Sequence, residues 1–369
     1  MKILVTGSNG FIGKNLISNL SLIDNVQIYK YDRNCSDFDL MTFTKDCDFV
    51  YHLAGVNRTQ NESDFKAGNV NLLNKLINDL KANNNKCPIV ITSSIQAELD
   101  NPYGISKKME EDVAINYAKE NNVNVYVFRL NNLFGKWCKP NYNSFIATWC
   151  YNISHNLDID ISDKNKEICL CYIDDVCNEF IDCLTDKCVC VQNGYYQIPT
   201  TYKKSLGDIA NLLYSFKVND KGIFVPSTGD DFTKKLYSTY LSYVPINDLI
   251  VDLSPHKDDR GTFCELVRTK ECGQVSVSTT KAGILRGGHY HNTKMERFIV
   301  LSGKAKITFE HVIDHTKYEF YVSGDKLQYV NIPVGYQHKI DNIGDTELVM
   351  ILWANELFDS QYTDTYEMR

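Results

Sequence analysis

The chain has 369 residues, and its 39 Lys and Arg against 46 Asp and Glu give a formal net charge of −7 at pH 7. This length predicts two domains, and 43% hydrophobic residues are enough to form a core in each. The acidic balance, without a block of Lys and Arg, argues against binding to nucleic acid or to a membrane surface, since both depend on dense positive charge.

The cysteine content indicates the cellular compartment. The chain has 13 cysteines, none of them at the C-x-x-C spacing of a zinc or redox site. Its first residues lead directly into a strand and show no signal-peptide pattern. We therefore expect reduced thiols in a cytoplasmic protein, mostly as small apolar side chains in the cores.

Residues 1–185 alternate short apolar runs with helical patterns. The predicted strands are Ile3–Thr6, Val26–Tyr31, Asp48–Leu53, Pro88–Thr92 and Val123–Arg129. Apolar spacing close to 3.6 residues predicts helices over Phe11–Leu20, Val70–Leu80 and Gly104–Ala118, with two more over residues 204–242. Repeated strand–helix–strand units predict an α/β fold with a Rossmann-type, doubly wound parallel sheet.

The pattern changes after Pro245, where β-rich runs recur without intervening helices. These runs are Thr262–Val267, Gln274–Thr279, Arg297–Leu301, Ala305–Glu310, Lys317–Val322 and Glu347–Trp353. Turns containing Gly and Asp separate them, which predicts an all-β jelly-roll barrel. We place the first domain at residues 1–245 and the second at residues 246–369.

A glycine-rich turn, Gly7-Ser-Asn-Gly10-Phe-Ile-Gly13, follows the first predicted strand and opens a helix. Glycines in this setting let the backbone approach a pyrophosphate, and the helix N-terminus offers unpaired N–H groups. Asp32 ends the second strand and can accept hydrogen bonds from ribose hydroxyls, whereas the Arg33 guanidinium suits a 2′-phosphate. We therefore expect NADPH rather than NADH. An ordinary tight turn followed by a solvated loop is the structural alternative.

A tyrosine and a lysine lie four residues apart in Tyr103-Gly-Ile-Ser-Lys107. On a helix these positions share a face, so the Lys107 ammonium favours the ionised phenol of Tyr103 and brings its pKa towards the working range. Ser94, or its neighbour Ser93, ends the preceding strand and can hold a substrate carbonyl oxygen. We expect Ser94, Tyr103 and Lys107 to be catalytic, the alternative being a surface tyrosine. The candidate cofactor-binding residues are Gly7, Asn9, Gly10, Phe11, Ile12, Gly13, Asp32, Arg33, Leu53, Tyr103 and Lys107.

Over roughly residues 1–240, the sequence resembles the extended short-chain dehydrogenase/reductase family. Beyond the motifs above, the resemblance is carried by His52-Leu-Ala-Gly, Asn69-Val70, Arg129-Leu-Asn-Asn132-Leu-Phe-Gly135 and Tyr172-Ile-Asp-Asp175-Val. It implies that Arg129 and Asn132 border a nucleotide-sugar substrate. Ser94 precedes Tyr103 by nine positions, fewer than is usual in the family. Read alone, His52 is a core histidine.

The β-rich domain contains a set of potential metal ligands. His289-Tyr-His291 has strand spacing, so both imidazoles point to one side, which a barrel would enclose. Glu296 follows five residues later, and we expect the later His338 to lie on another strand. Three nitrogen donors and one oxygen donor suit Zn²⁺ or a similar divalent ion, with room for a substrate oxygen.

The same segments resemble the two motifs of the cupin superfamily. G-x5-H-x-H-x4-E-x6-G runs from Gly283 to Gly303, and P-x-G-x2-H-x3-N runs from Pro333 to Asn342. The resemblance implies that the metal ligands are His289, His291, Glu296 and His338. The alternative is a metal-free cupin in which one histidine serves as the base.

A narrower resemblance, to the dTDP-sugar 3,5-epimerases, comes from Arg260-Gly-Thr-Phe-Cys-Glu265 and Gly283-Ile-Leu-Arg286-Gly. It implies that Arg260 and Glu265 contact nucleotide and phosphate, with Arg286 also on the substrate side. It also implies that a histidine removes a proton beside a keto group. We take His289 and His291 as the catalytic residues of this enolisation.

A reductase domain joined to an epimerase-like cupin resembles the bifunctional enzymes of capsular polysaccharide and O-antigen synthesis. The resemblance implies that the cupin inverts C3 of UDP-2-acetamido-2,6-dideoxy-4-hexulose and that the first domain reduces the C4 ketone with NADPH. The product would be UDP-N-acetyl-6-deoxy-L-talosamine, on the route to N-acetyl-L-fucosamine. Epimerase-type cupins pair through β-strands, so we expect a homodimer through the second domain.

Two other functions are consistent with parts of the sequence. In one, only the reductase site is active and the barrel is a non-catalytic dimerisation module. In the other, the protein is a dinucleotide sensor without enzymatic activity, although such sensors tend to lack the Tyr/Lys pair that this chain has.

Overall fold

A computed structural model of the chain describes residues 1–188, 190–192, 194–219, 223–361 and 363–367. The chain forms two compact units, one of residues 1–214 and 235–245 and the other of residues 215–234 and 246–369. Residues 215–234 group with the second unit, although they precede the boundary expected from the sequence. None of the helices in the described ranges has the length and apolarity that a bilayer crossing requires.

The part of the chain before residue 246 alternates strands and helices. The helices are α1 (Phe11–Leu20), α2 (Asp37–Phe43), α3 (Ser63–Phe65), α4 (Leu72–Ala82), α5 (Pro102–Asn121), α6 (Phe145–Ser154), α7 (Ile173–Asp182), α8 (Leu206–Asn219) and α9 (Asp231–Leu241). The strands are β1 (Lys2–Thr6), β2 (Gln27–Tyr31), β3 (Phe49–His52), β4 (Ile89–Ser94), β5 (Val125–Leu130), β6 (Asn132–Phe134), β7 (Glu167–Tyr172), β8 (Cys190–Gln192), β9 (Tyr195–Tyr196) and β10 (Tyr202–Ser205).

The main sheet of the first unit has the strand order β2-β1-β3-β4-β5-β9-β8, and a smaller sheet has the order β10-β7-β6. In the main sheet every pair is parallel except β8 with β9. Successive residues of β1 face opposite cores, since Ile3 and Val5 pack with α1 and α7 whereas Leu4 packs with α4 and α5. The predicted doubly wound sheet is confirmed.

The strand order reverses at β1, which has β2 on one side and β3 on the other. Ligands of open α/β sheets bind at the carboxyl ends of the strands beside such a reversal. The turn after β1 and the loop after β3 therefore flank the predicted dinucleotide site.

The second unit is built on antiparallel strands. They are β11 (His256–Asp258), β12 (Gly261–Thr269), β13 (Gly273–Thr280), β14 (Leu285–Tyr290), β15 (Glu296–Ser302), β16 (Lys304–His311), β17 (Lys317–Ser323), β18 (Tyr329–Ile332), β19 (Tyr336–Asn342), β20 (Leu348–Ala354) and β21 (Tyr366–Glu367). One sheet has the order β11-β12-β13-β20-β15-β18, and the other has the order β17-β16-β19-β14-β21. Apolar residues from both sheets, including Phe298, Ile307 and Met350, form one core, and the predicted all-β class is confirmed.

Candidate active sites

The glycine-rich turn brings the end of β1 against the loop after β3. Gly7 has a φ of +68°, and a Cβ atom there would lie 2.7 Å from the backbone nitrogen of Ala54. The N-cap residue of α1 is Gly10, and no described side chain caps this helix, so its first N–H groups can bind an anion. These features fit a dinucleotide pyrophosphate. Three other predicted residues of this site are half-buried against the core: Phe11, Ile12 and Leu53.

Asp32 connects this turn to the end of β2. Its carboxylate accepts hydrogen bonds from the Asn9 amide and, at 3.5 Å, from Ser8 Oγ. The backbone N–H of Asn34 donates to its other oxygen at 2.8 Å. Arg33 is exposed and forms no ion pair with any residue in the described ranges. The Arg33 guanidinium is therefore accessible to a ligand.

Replacing Gly13 by alanine is expected to weaken dinucleotide binding. The new Cβ would lie 2.3 Å from the carbonyl oxygen of Gly7, so the turn would have to move. We expect the Kd for NADPH, measured by cofactor fluorescence, to rise about tenfold or more, which corresponds to ~1.4 kcal/mol. Gly229→Ala is the matched control, because a Cβ there meets no described atom within 4 Å. Equal Kd values for the two variants would contradict the prediction.

The two serines at the end of β4 have different surroundings. The Ser93 hydroxyl donates to the buried carboxylate of Glu111 at 2.6 Å. Ser94 Oγ accepts a hydrogen bond from the backbone N–H of Gln96 at 3.2 Å. That contact uses a lone pair, so the Ser94 hydroxyl can still donate its proton to a carbonyl. Since the Ser93 hydroxyl already donates to Glu111, Ser94 is the better candidate for the serine that holds the substrate carbonyl.

Lys107 is a fixed, buried cation next to Tyr103. Its Nζ donates to Glu110 Oε2 at 2.6 Å and to the carbonyl oxygen of Thr92 at 2.8 Å. Burial opposes the charge on Lys107, but the Glu110 carboxylate and the Tyr103 phenol together raise the pKa of Lys107. Tyr103 is half-buried, with its ring centroid 5.7 Å from that of Phe65. The predicted Tyr–Lys arrangement on one helix face is thus present.

A buried carboxylate that was not predicted from the sequence joins this site. Glu110 Oε1 lies 3.6 Å from Nε2 of His52, and both residues are fully buried. The other ring nitrogen of His52 lies 3.0 Å from Thr6 Oγ1. Burial and the Lys107 charge lower the pKa of His52 to about 3, and burial raises the pKa of Glu110. Lys107 and Glu110 are three residues apart on a predicted helix, and this spacing could have indicated from the sequence that their side chains are in contact.

Replacing Glu110 by glutamine is expected to destabilise the first unit. Lys107 would remain buried without a charged partner, which typically costs ~3–5 kcal/mol. Urea unfolding followed by fluorescence measures the change. Asp112→Asn is the matched control, because this carboxylate pairs with Lys108 at 3.0 Å on the surface and should contribute little. Equal urea midpoints for the two variants would show that the buried pair has no special effect.

The two predicted substrate residues of this unit differ in their surroundings. Arg129 donates to both carboxylate oxygens of Glu111, at 2.8 and 2.7 Å, and to Glu98 at 2.6 Å. Its guanidinium also lies 4.5 Å from the ring centroid of Tyr195. Asn132 is exposed and donates to a backbone carbonyl of β7 at 3.4 Å. Their substrate roles stay predictions, and Arg129 already has two carboxylate partners.

The four predicted metal ligands lie together in the second unit. One potential ligand atom from each of His289, His291, Glu296 and His338 lies within 4.8 Å of the others. His289 lies on β14, His291 directly follows that strand, and His338 lies on the neighbouring β19. Glu296 begins β15 in the other sheet. The ligand set therefore combines residues of both sheets.

The charges in this cluster are closely coupled. Glu296 Oε2 lies 3.2 Å from Nε2 of His291 and 3.4 Å from Nε2 of His338. Burial opposes the charge on Glu296, but the two imidazoles hold the pKa of its carboxyl well below the usual range. Burial and the other two histidines lower the pKa of His289 to about 4. Lys294 Nζ lies 3.3 Å from the second carboxylate oxygen of Glu296.

The hydrogen bonding of His291 fits a metal ion. Its Nδ1 faces the carbonyl oxygen of Asp364, which can only accept, so Nδ1 carries a proton. Its Nε2 lies 3.2 Å from the Glu296 carboxylate. Burial opposes a charge on His291, but Glu296 and the Asp364 carbonyl raise the pKa of its ring. The buried Nε2 has no hydrogen-bond partner among the described residues. A divalent cation between these two groups would interact favourably with both, and three imidazoles with one carboxylate suit Zn²⁺.

The residues predicted to contact nucleotide and phosphate lie before β12 (Arg260), within β12 (Glu265) and on β14 (Arg286). Arg260 is exposed and donates to Asp258 at 2.9 and 2.6 Å, while Glu265 accepts from Arg268 at 2.6 Å. Burial and the nearby Arg260 charge lower the pKa of Arg286. Two neighbouring guanidinium groups suit a phosphate anion. The roles of Arg260, Glu265 and Arg286 stay predictions.

The chain therefore combines a fold of the short-chain dehydrogenase/reductase type with an antiparallel jelly roll that carries a histidine–glutamate cluster. Residues 3–198 match the NAD dependent epimerase/dehydratase family, and residues 256–366 match the Polysaccharide biosynthesis C-terminal domain. The chain belongs to the NAD dependent epimerase/dehydratase family.

One relative and two crystal structures are similar to the chain over nearly its full length. UDP-2-acetamido-2,6-beta-L-arabino-hexul-4-ose reductase of Pseudomonas aeruginosa is 40% identical over 367 residues, which are 99% of this chain and 98% of the relative. The crystal structure of capsular polysaccharide assembling protein CapF from Staphylococcus aureus has 45% identity and a TM-score of 0.93, with both chains fully covered. CapF with the inhibitor 3-isopropenyl-tropolone has 41% identity and a TM-score of 0.87, again with full coverage. The expected resemblance to enzymes of capsular polysaccharide synthesis is confirmed.

Proposed function

We propose that the chain is a bifunctional nucleotide-sugar enzyme of capsular polysaccharide biosynthesis. The observation that carries the proposal is that one chain holds both a Tyr103–Lys107 pair and a compact cluster of three histidines and one glutamate. Full-length similarity to a relative named as a UDP-hexulose reductase supports the reductase half.

The substrate in this proposal is UDP-2-acetamido-2,6-dideoxy-4-hexulose. The second unit inverts C3, and the first unit reduces the C4 ketone to give UDP-N-acetyl-6-deoxy-L-talosamine. This product lies on the route to UDP-N-acetyl-L-fucosamine. The order follows from the chemistry, because the ketone is needed to acidify the C3 hydrogen and its reduction fixes the new configuration.

The second unit performs the C3 inversion in this account. A histidine of the cluster whose ring nitrogen is not bound to a metal, His289 or His291, removes the C3 proton, and a proton is returned to the opposite face. A divalent metal held by His289, His291, Glu296 and His338 would supply Lewis-acid stabilisation of the developing enolate when bound. The guanidinium groups of Arg260 and Arg286 bind the diphosphate, and Glu265 contacts the nucleotide.

The first unit performs the reduction. A reduced nicotinamide cofactor supplies the hydride when bound at the glycine-rich turn. Tyr103 donates a proton to the C4 oxygen, Ser94 orients the carbonyl, and Lys107 holds Tyr103 in position. We assign NADPH as the cofactor because the exposed Arg33 guanidinium can bind a 2′-phosphate.

One observation favours a second candidate function. Lys294 lies 3.3 Å from Glu296, so an ion pair can balance this carboxylate without a metal. The second unit would then be a non-catalytic dimerisation module beside an active reductase. The number of zinc ions bound per chain distinguishes the two candidate functions, since a non-catalytic module is expected to bind none.

We also propose that the chain forms a homodimer through the second unit. Light scattering of the full chain would detect the dimer.

Product analysis tests the proposed function. The protein is incubated with the 4-keto UDP-sugar and either NADPH or NADH, and cofactor oxidation is followed by its absorbance. We expect faster oxidation of NADPH and a 6-deoxy-talo product by NMR. Cofactor oxidation that yields a sugar with unchanged C3 configuration would support the single-site alternative. No oxidation of either cofactor would contradict the reductase assignment.

A further inference from the structure

The C-terminal segment packs against the strand that carries His289. β21 is the edge strand of its sheet and pairs with β14, with Glu367 opposite His289 and Tyr366 opposite Tyr290. The ring centroids of Tyr290 and Tyr366 lie 5.5 Å apart. Residues distant in sequence thus support the strand that leads into the ligand cluster.

Asp364 precedes β21 and binds the loop between His291 and Glu296. Its carboxylate accepts hydrogen bonds from the backbone N–H groups of Asn292 at 3.0 Å, Thr293 at 2.6 Å and Lys294 at 2.7 Å, and from the Thr293 hydroxyl at 2.9 Å. Burial opposes the charge, but these donors lower the pKa of Asp364 to about 2. An ionised carboxylate therefore holds three consecutive backbone N–H groups of this loop.

The backbone of the same residue contacts a candidate ligand directly. The carbonyl oxygen of Asp364 accepts a hydrogen bond from Nδ1 of His291, which is 1% exposed. This bond leaves Nε2 of His291 as the nitrogen that faces Glu296. Hydrogen bonds of this kind fix the ring orientation and tautomer of metal-binding histidines in proteins.

We propose that Asp364 is the positioning residue of the histidine–glutamate cluster. Its carboxylate fixes the loop 292–294, and its carbonyl oxygen fixes the ring of His291, so that both flanking ligands are held in place before a metal arrives. The effect on metal affinity rests on the proposed function, whereas the position of the His291 ring does not depend on metal binding.

Two measurements on the full chain test this proposal. Zinc affinity is measured by competition with a chromophoric chelator, and the His291 ring is followed by NMR of metal-free, ¹⁵N-histidine-labelled protein. Asp364→Ala keeps the backbone carbonyl but releases the loop 292–294 that the carboxylate holds. We therefore expect zinc binding to weaken about 10–100-fold and the protection of the Nδ1–H signal of His291 to fall. Asp364→Asn keeps one acceptor oxygen, so it should show a smaller loss in both measurements.

Asp314→Ala is the matched control. This exposed carboxylate accepts from the backbone N–H of Thr316 at 2.9 Å in another turn of the same unit, outside the ligand cluster. We expect parental zinc affinity and an unchanged His291 signal. If Asp364→Ala fails to fold, Asp364→Asn decides between the outcomes. A variant of Asp364 that keeps both parental values would overturn the proposal. If the parent binds no zinc, the metal assignment fails, and the NMR signal alone decides the role of Asp364.

Discussion

Replacing Tyr103 by phenylalanine is expected to lower the rate of ketone reduction by about 10²–10⁴-fold, the usual contribution of a positioned general acid. The ring that packs beside Phe65 is retained, so the fold of α5 should not change. The lost hydroxyl is the group beside the buried Lys107 cation. Cofactor oxidation with the 4-keto UDP-sugar measures the rate.

Two controls separate this effect from a general loss of structure. Tyr29→Phe removes a hydroxyl that donates to Asp46 at 3.1 Å on the surface, and it should reduce the ketone at the parental rate. The Tyr103 variant should also keep its Kd for NADPH within a few-fold of the parent. A Tyr103→Phe variant with nearly parental turnover would remove Tyr103 from the proton-transfer step.

Replacing Glu296 by glutamine is expected to have a comparably large effect on the C3 inversion, the reaction that we assign to the second unit. The carboxylate is the oxygen donor of the cluster, and it lies within 3.4 Å of two imidazoles. An amide carries no charge, so zinc binding and enolate stabilisation should both weaken. We expect hydrogen–deuterium exchange at C3 to slow by about 10²-fold or more.

A carboxylate outside the cluster provides the control for that experiment. Glu310 pairs with His315 and Lys317, each at 3.3 Å, in the same unit. Glu310→Gln should exchange the C3 hydrogen and bind zinc like the parent. Parental exchange in the Glu296 variant would instead favour a structural role for the cluster.

The parts of the two sites that depend on residues close together in the sequence could be predicted from the sequence. The segment from Gly7 to Gly13 leads from β1 into the first turn of α1, and Tyr103 and Lys107 are separated by about one helical turn. Both features follow from short-range geometry. The i,i+2 spacing of His289 and His291 likewise predicted that both rings lie on one side, and the structure brings them together although β14 ends at Tyr290. These motifs also carried the family resemblance that the full-length relatives confirm.

Contacts between distant segments were not predictable in the same way. His52 ends β3 and Glu110 lies on α5, so their contact joins two elements that are distant in sequence. The contact of His291 with Asp364 joins residues separated by 73 positions. Strand β14 was also absent from the predicted β-rich runs, because its Gly-Gly pair has low strand propensity. The partners of Arg129 could not be predicted either, because Glu98 and Glu111 are brought next to its guanidinium only in the folded chain.

The central claim is that one ketone serves two sites in turn, and isotope exchange tests it most directly. The zinc-supplied protein is incubated with the 4-keto UDP-sugar in D₂O, first without a cofactor and then with NADPH. We predict deuterium at C3 before NADPH is added, followed by loss of the ketone in a product that keeps this deuterium. Complete reduction with no deuterium at C3 at either stage would contradict the account.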